Sequence, residues 1–362
     1  MSLGPFLSDQ EPEDFGEDVG PSDETFDPFA DPVPSERAVA PETREEEKVE
    51  IPPGARTVHV TEIERFLECG YRHAMYAGQT WREDYDVPRA RGTGVHKARE
   101  VAFRAYLKTG QLPALEDLED AAAAAVSEAM KGAEEVGGDE GAAMVDAATD
   151  EAVVFVRADH ALLLPLLAPH VIEVEPRFVA EIGGEGIEPR SWFLSGSPDS
   201  VGRDPTTGKL VLPDLKTGVK ATSQAALNTS SQLTGYAFLA AERYGEIPVL
   251  AHHSLRILKR LPKAKPGLFW KEVKGAKGEA LVGVVERKHT ERTDADLGSF
   301  LRRLNAFVSS QRAGIALPAT SSNFMSPCHR CAHRGHAVAS QRCPFAPAYR
   351  GGEGEEVDDG SL

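Results

Sequence analysis

Residues 196–199 read Gly-Ser-Pro-Asp, and residues 214–218 read Asp-Leu-Lys-Thr-Gly. A β-strand places alternate side chains on the same face, so Asp214 and Lys216 project together while Leu215 points to the other side. Between these stretches, residues 204–208 read Asp-Pro-Thr-Thr-Gly and are flanked by apolar runs at 192–194 and 210–212. This pattern predicts a hairpin that brings Asp199 close to Asp214. Two carboxylates and one ammonium group are then expected in one place.

Carboxylate oxygens suit Mg²⁺ or Mn²⁺, and a nearby lysine suits a phosphate or an attacking water. An isolated Asp-x-Lys pair on a strand is more often a solvated ion pair, so further residues are needed to support a site. Gln232 and Tyr236 stand one turn apart in the helix predicted over 230–243. Gly92 and His96 belong to another helical stretch, whose glycines would let its start approach a ligand closely.

In their order and spacing, these residues resemble the PD-(D/E)XK nuclease superfamily, and within it the RecB-like branch. The resemblance covers residues 57 to about 345. It implies an α/β fold of the restriction-endonuclease type, which is a mixed central sheet flanked by helices, here with a helical insertion and a C-terminal cysteine cluster. By this resemblance the catalytic residues are Asp199, Asp214, Lys216, Gln232 and Tyr236. The ligands of the catalytic Mg²⁺ or Mn²⁺ are, by the same resemblance, His96, Asp199, Asp214 and the backbone carbonyl of Leu215.

Two of the candidates also have simpler interpretations. A lone histidine near a helix start, such as His96, is often a cap or a packed core residue, and its position after Gly92 is what favours a ligand. Glu175 is expected to share a face with Glu173 on a strand over 171–180. It is a weaker candidate for an outer metal ligand, because an exposed strand carboxylate is the more common case.

The chain has four cysteines: Cys69, Cys328, Cys331 and Cys343. Four thiolates suit a tetrahedral metal or a 4Fe-4S cluster. One early and three late cysteines are similar to the pattern of iron-sulfur-stapled RecB-like nucleases of the AddB and CRISPR-associated exonuclease type, which implies a 4Fe-4S cluster on all four. The last spacing is longer than is usual there. A Zn²⁺ site of the C-terminal cysteines with His329, His333 or His336 is the alternative. Disulfides are disfavoured, because nothing resembles a signal peptide.

The formal net charge of -17 is concentrated at the two ends of the chain. Residues 1–50 carry -13 and residues 351–362 carry -5, which leaves about +1 for the rest, so the acidity does not exclude DNA binding. The composition predicts disordered acidic tails over 1–55 and 349–362. Between them it predicts a nuclease domain over 56–348, with the helical insertion at about 110–168 and the metal-cluster region at 325–346. No apolar stretch reaches the roughly 20 residues of a membrane span. A cytoplasmic protein is therefore expected, including a phage protein in the host cytoplasm.

Together these features predict a metal-dependent DNA exonuclease of recombination, repair or phage replication, acting on DNA that has a free end or is single-stranded. An endonuclease or a processing nuclease of CRISPR adaptation stays open as an alternative. A DNA-binding module with a nuclease fold and no catalysis is disfavoured, since Asp199, Asp214 and Lys216 are all present. The chain lacks a Gly-x₄-Gly-Lys-Ser/Thr motif, so a helicase or recombination protein is an expected partner.

Overall fold

The computed structural model describes residues 50–70, 73–74, 86–183, 187–218 and 220–315. Most of the tail residues and Cys328, Cys331 and Cys343 lie outside these ranges. The α-helices are α1 (Val60–Glu68), α2 (Val87–Thr109), α3 (Leu115–Ala129), α4 (Ala133–Leu162), α5 (Leu164–Leu167), α6 (Gln224–Thr229), α7 (Ser231–Tyr244) and α8 (Asp294–Arg312), with a 3₁₀ turn at Ala168–His170. The strands are β1 (Arg56–His59), β2 (Val171–Val174), β3 (Phe178–Glu181), β4 (Trp192–Gly196), β5 (Ser200–Arg203), β6 (Leu210–Thr217), β7 (Val249–Leu258), β8 (Leu268–Lys274) and β9 (Ala280–Thr290).

The strands form two sheets. The larger has six strands in the order β2-β5-β6-β7-β9-β8, and the smaller has three in the order β1-β4-β3. In the larger sheet β6 and β7 run parallel at the centre, while the other neighbours are antiparallel. The parallel pair needs a crossover, which α6 and α7 supply. This is a mixed sheet, as the sequence predicts.

Each face of the six-stranded sheet is covered by a different set of helices. Leu212 and Leu250 belong to a hydrophobic cluster with α1, α7 and α8. Leu215 and Leu255 point the opposite way, into a second cluster with α2, α3 and α4. The period-2 alternation along β6 and β7 therefore separates the two cores, because successive side chains lie on opposite faces. The predicted fold class, a mixed sheet flanked by helices, is confirmed.

Side chains cap the starts of α1 and α7. The cap of α1 is His59, whose Nδ1 accepts the Thr61 N–H, while the Glu62 carboxylate accepts the His59 N–H. Ser230 caps α7 with a 3.3 Å bond from the Leu233 N–H. These caps satisfy N–H groups that have no partner within the helix.

The helical insertion is interrupted at two points. The chain leaves the helix at 130–132, and α4 has a kink at Gly138, where the backbone is non-helical with φ 54° and ψ -129°. A glycine tolerates this backbone conformation because it has no Cβ. Gly94 has a packing role in α2, since a Cβ there would lie 2.8 Å from Val126 and 2.9 Å from the Ala122 carbonyl oxygen of α3.

The strand predictions before the centre of the sheet need three corrections. The expected strand at 171–180 is two strands in different sheets, separated at Glu175, whose φ is 48°. Glu173 and Glu175 therefore do not share a strand face. The run 192–194 forms β4 of the small sheet, so the hairpin partner of β6 is β5 rather than β4. Strand β8 was not predicted at all.

Among the residues that the structure describes, no single helix is both long and apolar enough to cross a membrane, and one bent pair, Gly137–Leu162 with Leu164–His170, passes by length and composition only.

Candidate active site

Strand β6 presents the Asp-x-Lys pair on one face. The Lys216 Nζ lies 2.8 Å from Asp214 Oδ1. Asp214 is buried, with 7% of its surface exposed, while 47% of the Lys216 side chain is exposed. Leu215 between them is fully buried in the opposite core. The pair therefore lies at the border between core and solvent, where a carboxylate is held firmly and an ammonium group can still reach a ligand.

Asp199 joins this pair through the backbone. Its Oδ2 accepts the Leu215 N–H at 3.0 Å, and its Oδ1 lies 3.2 Å from His96 Nδ1. The sequence predicts that Asp199 approaches Asp214, and the structure brings it there, although by β5 rather than by the expected β4 hairpin. Asp199, Asp214, Lys216 and His96 thus form one cluster.

Helix α2 carries His96 in its interior. The helix begins at Val87, so Gly92 does not open it as the sequence suggested. A Cβ at Gly92 would lie 3.6 Å from Thr217 Oγ1 at the end of β6, which is an ordinary contact distance. The close approach of α2 to β6 places His96 over Asp199.

Charges within the cluster shift the pKa values of three of its members, His96, Asp199 and Lys216. Burial disfavours the charged forms, but the Asp199 carboxylate raises the pKa of His96 overall. In return the His96 and Lys216 cations hold the pKa of Asp199 well below its usual range in spite of burial. The Asp214 and Asp199 carboxylates likewise raise the pKa of Lys216 above its usual range, against the effect of burial. The Asp199 carboxylate is therefore ionised and Lys216 is a cation at neutral pH.

Gln232 and Tyr236 lie on one face of α7 and support the turn that carries Asp199. The Gln232 amide donates to the Tyr236 hydroxyl at 3.2 Å, and that hydroxyl donates to the Ser197 carbonyl at 3.4 Å. A Cβ at Gly196 would come within 2.9 Å of the Tyr236 ring, so only glycine fits there. Tyr236 is buried, with 6% exposed, and acts from behind the site.

His252 is the main residue of the site that sequence reasoning missed. It pairs with Asp214 in the β6–β7 register, and its Nδ1 lies 3.1 Å from Asp214 Oδ2. Its Nε2 lies 3.0 Å from Thr222 Oγ1, and the imidazole is almost fully buried. Alternation along β7 shows that His252 and Ser254 share a face, but only the register shows that this is the face of Asp214.

Two glutamates lie at the edges of the cluster. Burial and the neighbouring Glu68 and Asp214 carboxylates raise the pKa of Glu64 on α1, which the sequence analysis did not single out. Burial raises the pKa of Glu175, as do the nearby Glu100 and Asp199. Glu175 lines an open pocket of about 450 Å³ beside His96 rather than joining the carboxylates of the cluster.

No group of three or more His, Cys, Asp or Glu side chains within the described ranges is already arranged as a metal site. The oxygens of Asp199 and Asp214 are turned toward His96, Lys216 and His252 instead. The donor set nevertheless fits a divalent ion, since two carboxylates and an imidazole meet in one place, and carboxylate oxygens suit Mg²⁺ or Mn²⁺.

Of the proposed iron-sulfur ligands, only Cys69 belongs to the described residues. It is buried directly after α1. Phe66 and His73 lie before and after Cys69 in the chain. The aromatic ring of Phe307, near the end of α8, packs edge-on against both of them. Cys328, Cys331 and Cys343 lie outside the described residues.

The site consists of two carboxylates and a lysine at strands β5 and β6 of a mixed sheet, together with an imidazole from α2. A Gln-x-x-x-Tyr helix supports these groups. This is the framework of a nuclease. The sequence model of the PD-(D/E)XK nuclease superfamily matches residues 57–336, which is most of the chain. The chain therefore belongs to the PD-(D/E)XK nuclease superfamily, as the motifs indicated. A comparison with curated proteins gives no significant match.

Proposed function

We propose that this chain is a Mg²⁺- or Mn²⁺-dependent deoxyribonuclease of the RecB-like branch that degrades DNA from an end. The observation that carries the proposal is the single cluster of His96, Asp199, Asp214 and Lys216, formed by residues from α2, β6 and the turn before β5. A non-catalytic DNA-binding module would have no use for two carboxylates held together beside a lysine and an imidazole.

Each residue has a distinct role in this proposal. Asp199, Asp214 and His96, with the Leu215 carbonyl, hold the metal. A bound divalent ion lowers the pKa of its water and offsets charge on the scissile phosphate. The Lys216 ammonium contacts that phosphate and orients the attacking water. Tyr236, whose hydroxyl is held by Gln232, donates to the Ser197 carbonyl and so fixes the turn that leads into Asp199.

The decisive experiment incubates the protein with end-labelled linear single-stranded DNA and with a closed circle of the same sequence, in Mg²⁺, in Ca²⁺ and in excess chelator. We expect mononucleotides from the linear DNA in Mg²⁺, no cleavage of the circle, and loss of activity with chelator. Ca²⁺ should suppress cleavage because it accepts the same ligands with looser geometry. Cleavage of the circle would instead assign an endonuclease, and full activity in chelator would exclude the metal mechanism.

We also propose that Cys69 shares a 4Fe-4S cluster with Cys328, Cys331 and Cys343. The burial of Cys69 beside the end of α8 supports this, because the chain continues from α8 toward the three C-terminal cysteines. Protein purified without oxygen should be brown and contain about four iron atoms per chain. Cys69→Ala should lose the colour and the iron. A colourless protein with one zinc per chain, retained in Cys69→Ala, would establish the Zn²⁺ alternative.

A further inference from the structure

The face of the large sheet that carries Asp214 and Lys216 extends over β7, β9 and β8. Cross-strand partners share a face, and the register joins Asp214 to His252 and His252 to Lys288. Two residues further along the strands it joins Lys216 to Ser254, Glu286 and Leu268. The next row holds Arg256, Val284 and Trp270. The active-site face therefore leads directly to the edge strand β8.

Three cations on this face surround one buried carboxylate. Glu286 lies 2.8 Å from Lys265 Nζ, 3.1 Å from Lys288 Nζ and 3.5 Å from Arg256 Nη2. The Glu286 side chain is 8% exposed, whereas 51% of the Lys265 side chain is exposed. A single carboxylate cannot neutralise three cations, so the group keeps a net positive charge and holds its basic side chains in place.

An exposed aromatic ring lies on the same face of the sheet, on the edge strand β8. Trp270 is 45% exposed, and within the described ranges it is the one aromatic among the large exposed hydrophobic side chains. A single exposed apolar residue needs no explanation by itself. An exposed aromatic ring on the same face as a group of basic side chains, however, is a combination that binds single-stranded nucleic acid, since phosphates pair with the cations and a base stacks on the ring.

We propose that Arg256, Lys265, Lys288 and Trp270, here called the basic strip, bind the DNA substrate as a single strand on its way to the catalytic cluster. A phosphate lies at Lys265 and Arg256, and a base stacks on Trp270. Three strand spacings and four residues along the strands separate Trp270 from Asp214, a distance of about 20 Å. Several nucleotides of an extended strand span that distance. The role of the strip as a substrate path depends on the proposed nuclease function.

The test measures the affinity for a fluorescent single-stranded oligonucleotide of about 20 residues and for the matched duplex. The measurement is made in Ca²⁺, which should suppress cleavage of the DNA. Trp270→Ala should weaken binding of the single strand about 5- to 150-fold, and Trp270→Phe should recover most of it. Lys265→Glu should weaken binding and reduce its salt dependence. Lys271→Glu is the matched control, because Lys271 lies on the same strand as Trp270 but on the opposite face. The affinity of this variant for the single strand should stay at the wild-type value.

The two proposals fail in different ways. If wild-type protein binds the single strand but hydrolyses nothing in Mg²⁺ or Mn²⁺, the proposed function is wrong while the strip remains. If wild-type protein hydrolyses DNA but Trp270→Ala and Lys265→Glu bind like Lys271→Glu, the strip is wrong. The proposal of the basic strip would also be overturned if the wild-type protein bound the duplex more tightly than the single strand and if both variants lost that binding to the same extent.

Discussion

The two faces of the central sheet perform different tasks, and the neighbouring residues His252 and His253 show the contrast. His252 contacts Asp214 with one nitrogen and Thr222 with the other. His253 points to the opposite core, is fully buried, and neither of its nitrogens has a hydrogen-bond partner. The same residue type, one position apart, thus contacts the candidate active site on one face and packs in the opposite core on the other. The face of the sheet, rather than the residue type, therefore decides which groups a side chain contacts.

The largest effect should come from the active-site face. Asp214→Asn should reduce the hydrolysis rate by at least about 10³-fold, because it removes the charge that the metal and Lys216 both require. The measurement is single-turnover cleavage of labelled DNA, with the unfolding temperature as a check on the fold. Asp204→Asn is the control, since Asp204 is only half-buried and its Oδ1 accepts hydrogen bonds within its own turn. Wild-type rates in Asp214→Asn would show that the active site is misassigned.

A substitution on the opposite face of the sheet should instead lower the stability of the fold. Arg99 and Asp159 form a buried ion pair between α2 and α4, with the Arg99 Nε 3.0 Å from Asp159 Oδ2. Asp159→Leu leaves the guanidinium buried and unpaired, so the free energy of unfolding should fall by about 3–5 kcal/mol. Denaturant unfolding measures this. The double variant Arg99→Met with Asp159→Leu should recover most of the loss, and an equally unstable double variant would show that packing rather than charge is responsible.

His252 should affect activity more than stability. Its Nδ1–H fixes the orientation of the Asp214 carboxylate, and partners of this kind contribute about 10- to 100-fold in metal affinity or activity. His252→Ala should therefore raise the Mn²⁺ concentration for half-maximal activity and lower the maximal rate. His253→Leu is the matched control and should leave both values unchanged. Identical metal profiles for His252→Ala and wild type would show that the contact only fills space.

The smallest effect should be on the pH dependence of the free energy of unfolding, through His253 on the opposite face of the sheet. Burial holds the pKa of His253 well below its usual 6.5. Below pH 6.5 the unfolded chain binds a proton at this residue that the folded protein excludes, so the free energy of unfolding decreases as the pH falls. His253→Leu should flatten this slope between pH 7 and about 5. Unfolding curves at several pH values measure it, and an unchanged slope would show that His253 is protonated in the folded protein.

Local patterns in the sequence predicted much of the site. The period-2 alternation placed Asp214 and Lys216 together, and the spacing of four placed Gln232 and Tyr236 on one helix face. Both arrangements are present. These predictions succeed because the direction of a side chain within one strand or helix depends only on nearby residues. The roles of these residues as catalytic groups and ligands stay predictions.

The predictions that failed concern contacts between distant segments. Strand β4 resembles a hairpin partner of β6 by its apolar run, yet it joins β1, more than 130 residues earlier in the chain. The break at Glu175, where φ is positive, sends β2 and β3 into different sheets. Neither outcome can be read from a short window, because strand partners are chosen by competition among all the strands for a place in the core.

The sequence by itself determined the class of the protein: the order of its motifs, the mixed sheet with helices, and the pairing of Asp214 with Lys216. Only the tertiary structure decided that His252 contacts Asp214, that Glu64 lies near the cluster, and that the basic strip shares the active-site face. The physical reason is that alternation and helical spacing are local properties of the backbone. Strand register, by contrast, is fixed by the packing of both cores at once.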